Sequence, residues 1–165
     1  MEKDITTQQN TTSSKTINVK TMVNSEQYSG TQNLTKLESL AEANPNDVTA
    51  QINAGISSYS NANYTKAIEY YNNVIKIDPN NGVAFNNLGN VYFRGLSKPN
   101  IALTYYEKAT QVEPSYNYGW LNLALCQQKL GNKAEAITAI DQGLKVLDAN
   151  DIIVASLKEL QGQIK

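Results

Sequence analysis

A chain of 165 residues is long enough to enclose one hydrophobic core. Its 14 basic residues against 15 acidic ones argue against a nucleic-acid binder or a polybasic membrane patch. The absence of histidine removes Ser-His-Asp and Cys-His chemistry and the commonest metal ligand. The single cysteine, Cys126, can form neither an internal disulfide nor a thiolate cage, and within WLNLALC it reads as a small buried hydrophobe. These features point to a protein that is not an enzyme and takes no cofactor or metal. No apolar run reaches the roughly 18 residues of a membrane span, and no apolar leader is evident at the start. A cytoplasmic location is the default expectation, the alternative being an extracytoplasmic protein tethered by a preceding segment.

Residues 1–30 form a polar tail in which sixteen of thirty are Thr, Ser, Asn or Gln and the charges cancel. Such composition buries too little apolar surface to offset ordering, so this segment is expected to be disordered or extended. Within it TINVKTMV alternates with a period of two, as a strand does, and reads as a segment able to dock in a groove of its own molecule or of a neighbour. Residues 31–165 read as one helical domain. Residues 33–44 form a first helix ending at Pro45. Asn63 caps a helix that stops at Asp78-Pro79, Lys98-Pro99 opens another, and Gly131-Asn132 separates two more. Asp151 caps a last helix whose residues Ile152, Ala155 and Leu157 are expected to face the body. Eight helices result.

The helices repeat. Pro45, Pro79 and Pro114 lie 34 and 35 residues apart, and Asp148 stands near the next step. In that register Gly55, Gly89 and Ala124 are equivalent, as are Ala67, Ala102 and Ala136, and Tyr71, Tyr106 and Ile140. Small residues facing large ones at matched places predict closely packed helix pairs. One extra residue in the middle unit falls around GLSKPN, between its two helices.

FNNLGNVYF, NANYTKAIEYYNNVIKIDPNN and GWLNLALCQQKLGNKAEAITAIDQGL resemble the tetratricopeptide repeats. The middle unit matches best, through Phe85, Leu88, Gly89, Tyr92, Ala102, Tyr106, Ala109 and Pro114. The first departs with Gln51 and Ala54, and the third with Ala124 and Gln127. The resemblance implies an all-α, right-handed α-solenoid of three helix-turn-helix units at about 48–81, 82–116 and 117–150. A half-unit helix precedes them and a capping helix at 151–164 follows.

It also implies a non-enzymatic interaction module that binds a peptide of a partner protein in its concave groove. Asn53, Asn87 and Asn122 are equivalent on the first helices, and the resemblance implies an asparagine ladder that holds peptide backbone there, with Asn90 one turn on from Asn87 and Asn86 pointing partly elsewhere. Tyr59, Phe93, Arg94, Tyr118, Leu125 and Lys129 complete the expected peptide-binding set, in a wall that also carries Gln128. A carboxylate clamp is not expected, because Ile52, Ile56, Tyr118 and Asn122 stand where the clamp-bearing members of the family carry lysines and an arginine, and only Asn87 agrees with their pattern. The alternative is a self-associating scaffold that forms homo-oligomers through the tail or the groove. Neither nucleic acid nor direct membrane insertion is expected.

Overall fold

The computed structural model describes residues 25–164. Among these described residues eight α-helices follow one another: α1 (Thr31–Ala43), α2 (Val48–Ser60), α3 (Tyr64–Ile77), α4 (Gly82–Asn90), α5 (Pro99–Val112), α6 (Asn117–Leu130), α7 (Lys133–Val146) and α8 (Ile152–Ile164). No strand occurs among the described residues. The starts of α2, α3, α4 and α8 are written locally. Asp47 accepts from the N–H groups of Thr49 and Ala50, Asn63 from Lys66, Asn81 from Ala84 and Asp151 from Ile153. The Glu113 carboxylate, at the end of α5, also accepts from Gly82 N at 3.0 Å, placing negative charge at the N-terminus of α4.

Helices α2/α3, α4/α5 and α6/α7 pack as pairs, stacked in order into an all-α repeat solenoid, with α1 before them and α8 after. What sets the spacing within a pair is one missing side chain. A Cβ on Gly55 would lie 2.5 Å from Cε1 of Tyr71, and the ring of Tyr106 stands in the same place against Gly89. In the third pair Ala124 faces Ile140, a smaller partner that leaves room for the methyl. The first pair lacks the aromatic found at Phe85 and Trp120. Gln51 replaces it, and its buried amide is satisfied by donating to Ala41 O at 2.9 Å and accepting from Asn73. Trp120 likewise uses its indole N–H, on Pro114 O at 2.8 Å.

Three details differ from the sequence expectation. The extra residue of the middle unit is not held in the loop. It widens the end of the first helix into a π turn, Val91–Gly95, closed by Leu96 N donating to Val91 O. Helix α8 buries Ile153, Val154, Leu157, Leu160 and Ile164, so of the three residues expected to face the body only Leu157 does; Ile152 and Ala155 are exposed. Finally, packed chain begins ahead of residue 31. A 3₁₀ turn at Ser25–Gln27 leads into Tyr28, which is fastened to α2. The alternating segment TINVKTMV lies outside the described residues.

The turns between paired helices put Ala62 (φ 59°), Ser97 (φ 55°) and Gly131 (φ 83°) at equivalent left-handed positions. Only the third is glycine, so Ser97→Gly and Ala62→Gly should each stabilise the fold by about 1 kcal/mol, read as a raised urea midpoint at unchanged slope. Gly89→Ala should destabilise by about 1–3 kcal/mol, because the Tyr106 ring has no free space to enter. Adding Tyr106→Ile should recover part of that loss, since it recreates the Ala124–Ile140 pair. Strictly additive losses in equilibrium unfolding would contradict the pairing.

Candidate functional site

The first helices of the three units, α2, α4 and α6, carry the residues singled out from the sequence. The three equivalent asparagines are not alike in their surroundings. Asn53 Oδ1 accepts from the Tyr28 hydroxyl at 3.0 Å. Asn122 is 3% exposed; its Nδ2 donates to Asn86 Oδ1 at 2.8 Å and its Oδ1 accepts from Arg94 at 3.3 Å. Its amide is therefore engaged at the seam between α4 and α6 and is not held open as a ladder requires. Asn87 alone is half-buried with no side-chain hydrogen bond among the described residues. Asn90, expected to join it, accepts from the buried Tyr106 hydroxyl at 3.0 Å.

The reason lies in the preceding unit. Asn122 meets Asn86, whereas the residue equivalent to Asn86 before Asn87 is Ile52, which offers no hydrogen bond. Asn86 is the residue that sequence reasoning undervalued. It is 1% exposed and links Asn122 to the Tyr116 hydroxyl at 3.4 Å. The signal was present as an amide one unit before Asn122, on the helix face turned toward the next unit. Tyr28 was missed because the polar tail around it was read as unstructured.

Phe93, Arg94, Leu125 and Lys129 come together as expected. With Gln128 they line an open depression of ≈ 460 Å³ between the end of α4 and the last turns of α6. Phe93 is fixed edge-on to Tyr106, centroids 6.2 Å apart. Leu125 is half-buried, while Arg94 and Lys129 are exposed. The π turn carries both Phe93 and Arg94. Tyr59 and Tyr118 lie outside the depression, Tyr59 tilted against Tyr64 at 5.7 Å and Tyr118 against Tyr116 at 6.2 Å. Burial raises the Tyr106 and Tyr59 hydroxyls above the usual tyrosine value, and the Arg94 charge beside each acts in the opposite direction. Both stay protonated at neutral pH.

Cys126 is buried with its thiol directed at Pro99 O, and burial pushes its pKa up to about 11. Among the described residues no group of His, Cys, Asp and Glu is placed to hold a metal ion. No described helix is long and apolar enough to cross a membrane.

Comparison with known proteins agrees with this architecture. Residues 57–94 match the TPR repeat family and residues 87–152 match the tetratricopeptide repeat family. The Dictyostelium discoideum "Protein STIP1 homolog" is 28% identical over 109 residues, which cover 66% of this chain and 19% of that protein. The Kluyveromyces lactis "Peroxisomal targeting signal receptor" is 25% identical over 122 residues, 73% of this chain and 21% of that protein. The chain thus spans about a fifth of the length of these curated relatives. Among solved structures, the TPR2B domain of yeast Sti1 in its pHsp70 complex superposes with a TM-score of 0.62 at 16% identity, covering 71% of this chain and 94% of that one. A crystal structure of MamA superposes at 0.62 and 18% identity, covering 80% of each chain. At these identities the solved structures speak to the fold alone. With the repeat spacing, the paired helices and the matches over residues 57–152 all in agreement, the chain belongs to the tetratricopeptide repeat family.

Proposed function

We propose that this chain is a non-enzymatic interaction module that holds a peptide segment of a partner protein against α4 and α6. The observation that carries the reading is the open depression with an apolar floor, Phe93 and Leu125, and a polar rim, Arg94, Gln128 and Lys129. An apolar side chain would be desolvated on that floor, and an acidic neighbour would meet the two cations at the rim. Asn87, on the helix that leads into the π turn, makes no side-chain hydrogen bond among the described residues, and its amide suits the main chain of an extended peptide. The ladder of three amides thereby contracts to one. Asn53 and Asn122 act indirectly, one by holding Tyr28 and the other by orienting Arg94. The relative whose name describes a targeting signal receptor is consistent with a module of this kind, though its partners are not carried over to this chain.

The test begins with peptides selected from a random display library on the purified chain. Their affinities are then measured by fluorescence anisotropy against wild type, Leu125→Glu and Asn87→Ala, each checked for unchanged circular dichroism. Leu125→Glu should weaken binding at least about tenfold and Asn87→Ala about fivefold, the latter matching the loss of one hydrogen bond. Affinities within about twofold of wild type for both variants would contradict the reading.

A further inference from the structure

The middle and third units differ where the first helix lies between its own second helix and the one before it. In the middle unit Tyr92 stacks on Tyr105 of α5, ring centroids 5.3 Å apart and planes 4° from parallel. One repeat on, Gln127 stands in the place of Tyr92 and Ala139 in the place of Tyr105. Neither ring is replaced by anything of its size. A cavity of ≈ 290 Å³ opens there between α5, α6 and α7. It shares no lining residue with the depression at Phe93 and Leu125.

The walls of this cavity are rich in acceptors. Glu107 of α5 and Glu135 of α7 both line it, both are exposed, and neither forms an ion pair among the described residues. In the preceding crevice Asn72 and Ile101 take their places, so the two charges do not come with the repeat. The Thr110 hydroxyl donates to Glu107 O and the Thr138 hydroxyl to Ala134 O, which leaves each with acceptor capacity only.

Gln127 gives an independent sign of a ligand. It lines the cavity and is only 7% exposed. Its Oε1 accepts from Asn132 Nδ2 at 2.8 Å, and its other amide atom has no partner among the described residues. Buried amides are ordinarily satisfied at both ends, so this one is left with a bond to make. The Gln127 and Asn132 amides can turn over together and keep their mutual bond, which exchanges Nε2 for Oε1 as the uncommitted atom.

We propose that this cavity receives the side chain of an arginine from a partner protein, at a site separate from the α4–α6 depression. A guanidinium carries five donors in one plane and can draw on acceptors from several elements at once, here Glu107, Thr110, Gln127 and Glu135. Charge-assisted bonds to the two carboxylates supply most of the attraction. Leu123 and Ala139, both buried, offer an apolar surface to the methylene stem. A lysine ammonium is a point charge with three donors and leaves more of these acceptors unpaired.

Titration of the labelled full chain with acetyl-arginine amide, followed by heteronuclear NMR, tests the proposal, with acetyl-lysine amide as the comparison. The Gln127 side-chain amide and the backbone amides of Thr110, Thr138 and Ala139 should shift and saturate. The arginine compound should bind at least about threefold tighter than the lysine compound. Glu107→Gln and Glu135→Gln should each weaken it at least about threefold, and together about tenfold. Gln127→Tyr with Ala139→Tyr, which restores the stacked pair of the middle unit, should abolish saturable binding at unchanged circular dichroism. No saturable shift in the wild type would overturn the proposal. So would equal binding of the two compounds, affinity unchanged by both glutamine substitutions, or shifts as large around Glu42 and Asp148, which would mean general attraction to acidic surface.

Discussion

The close approach of Gly55 to Tyr71 and of Gly89 to Tyr106 is the constraint on which the rest of the molecule depends. It sets how near the two helices of a unit can come, and so how the first helices line up beside one another. Glycine inside a helix costs roughly 1 kcal/mol against alanine, and here that cost is offset by a fully buried tyrosine ring. The third unit reaches the same spacing by a different division of volume, Ala124 with Ile140. The rule therefore concerns the sum of two side chains and not the identity of either.

The surface follows from that frame. Because α4 and α6 are held side by side, Asn86 and Asn122 join across the seam, and Arg94 is drawn to Asn122. The π turn adds a residue without moving the pair contact at Gly89, and places Phe93 and Arg94 over the end of α6. An insertion that would have been absorbed silently in a loop thus shapes a depression that brings four of the expected contact residues together. Such turns recur at functional sites because they re-aim side chains while leaving the helix continuous.

Much of this was legible in the sequence, for physical reasons. Proline spacing and the matched small and large residues are local statements about helix ends and packing, and they gave the eight helices and their pairing. The rotation of α8 was less legible. Asp151 fixes its start, but Ile152 and Ile153 are equally apolar and only the packed neighbour decides which turns inward. The amides were harder still. Asn53, Asn87 and Asn122 are identical in register, yet their availability is decided by Tyr28, Ile52 and Asn86, residues on other elements. Whether an extra residue widens a helix or lengthens a loop is likewise a tertiary matter, here tied to Gly95 lying against the Tyr64 ring.

The most direct test of a groove centred on α4 and α6 is a heteronuclear NMR titration of the labelled chain with a selected peptide. The side-chain amides of Asn87 and Gln128 and the Arg94 guanidinium should shift first. Intermolecular contacts should fall on the Phe93 ring and the Leu125 methyls. Shifts and contacts confined to the outer helices α3, α5 and α7, with those five residues unmoved, would contradict the account.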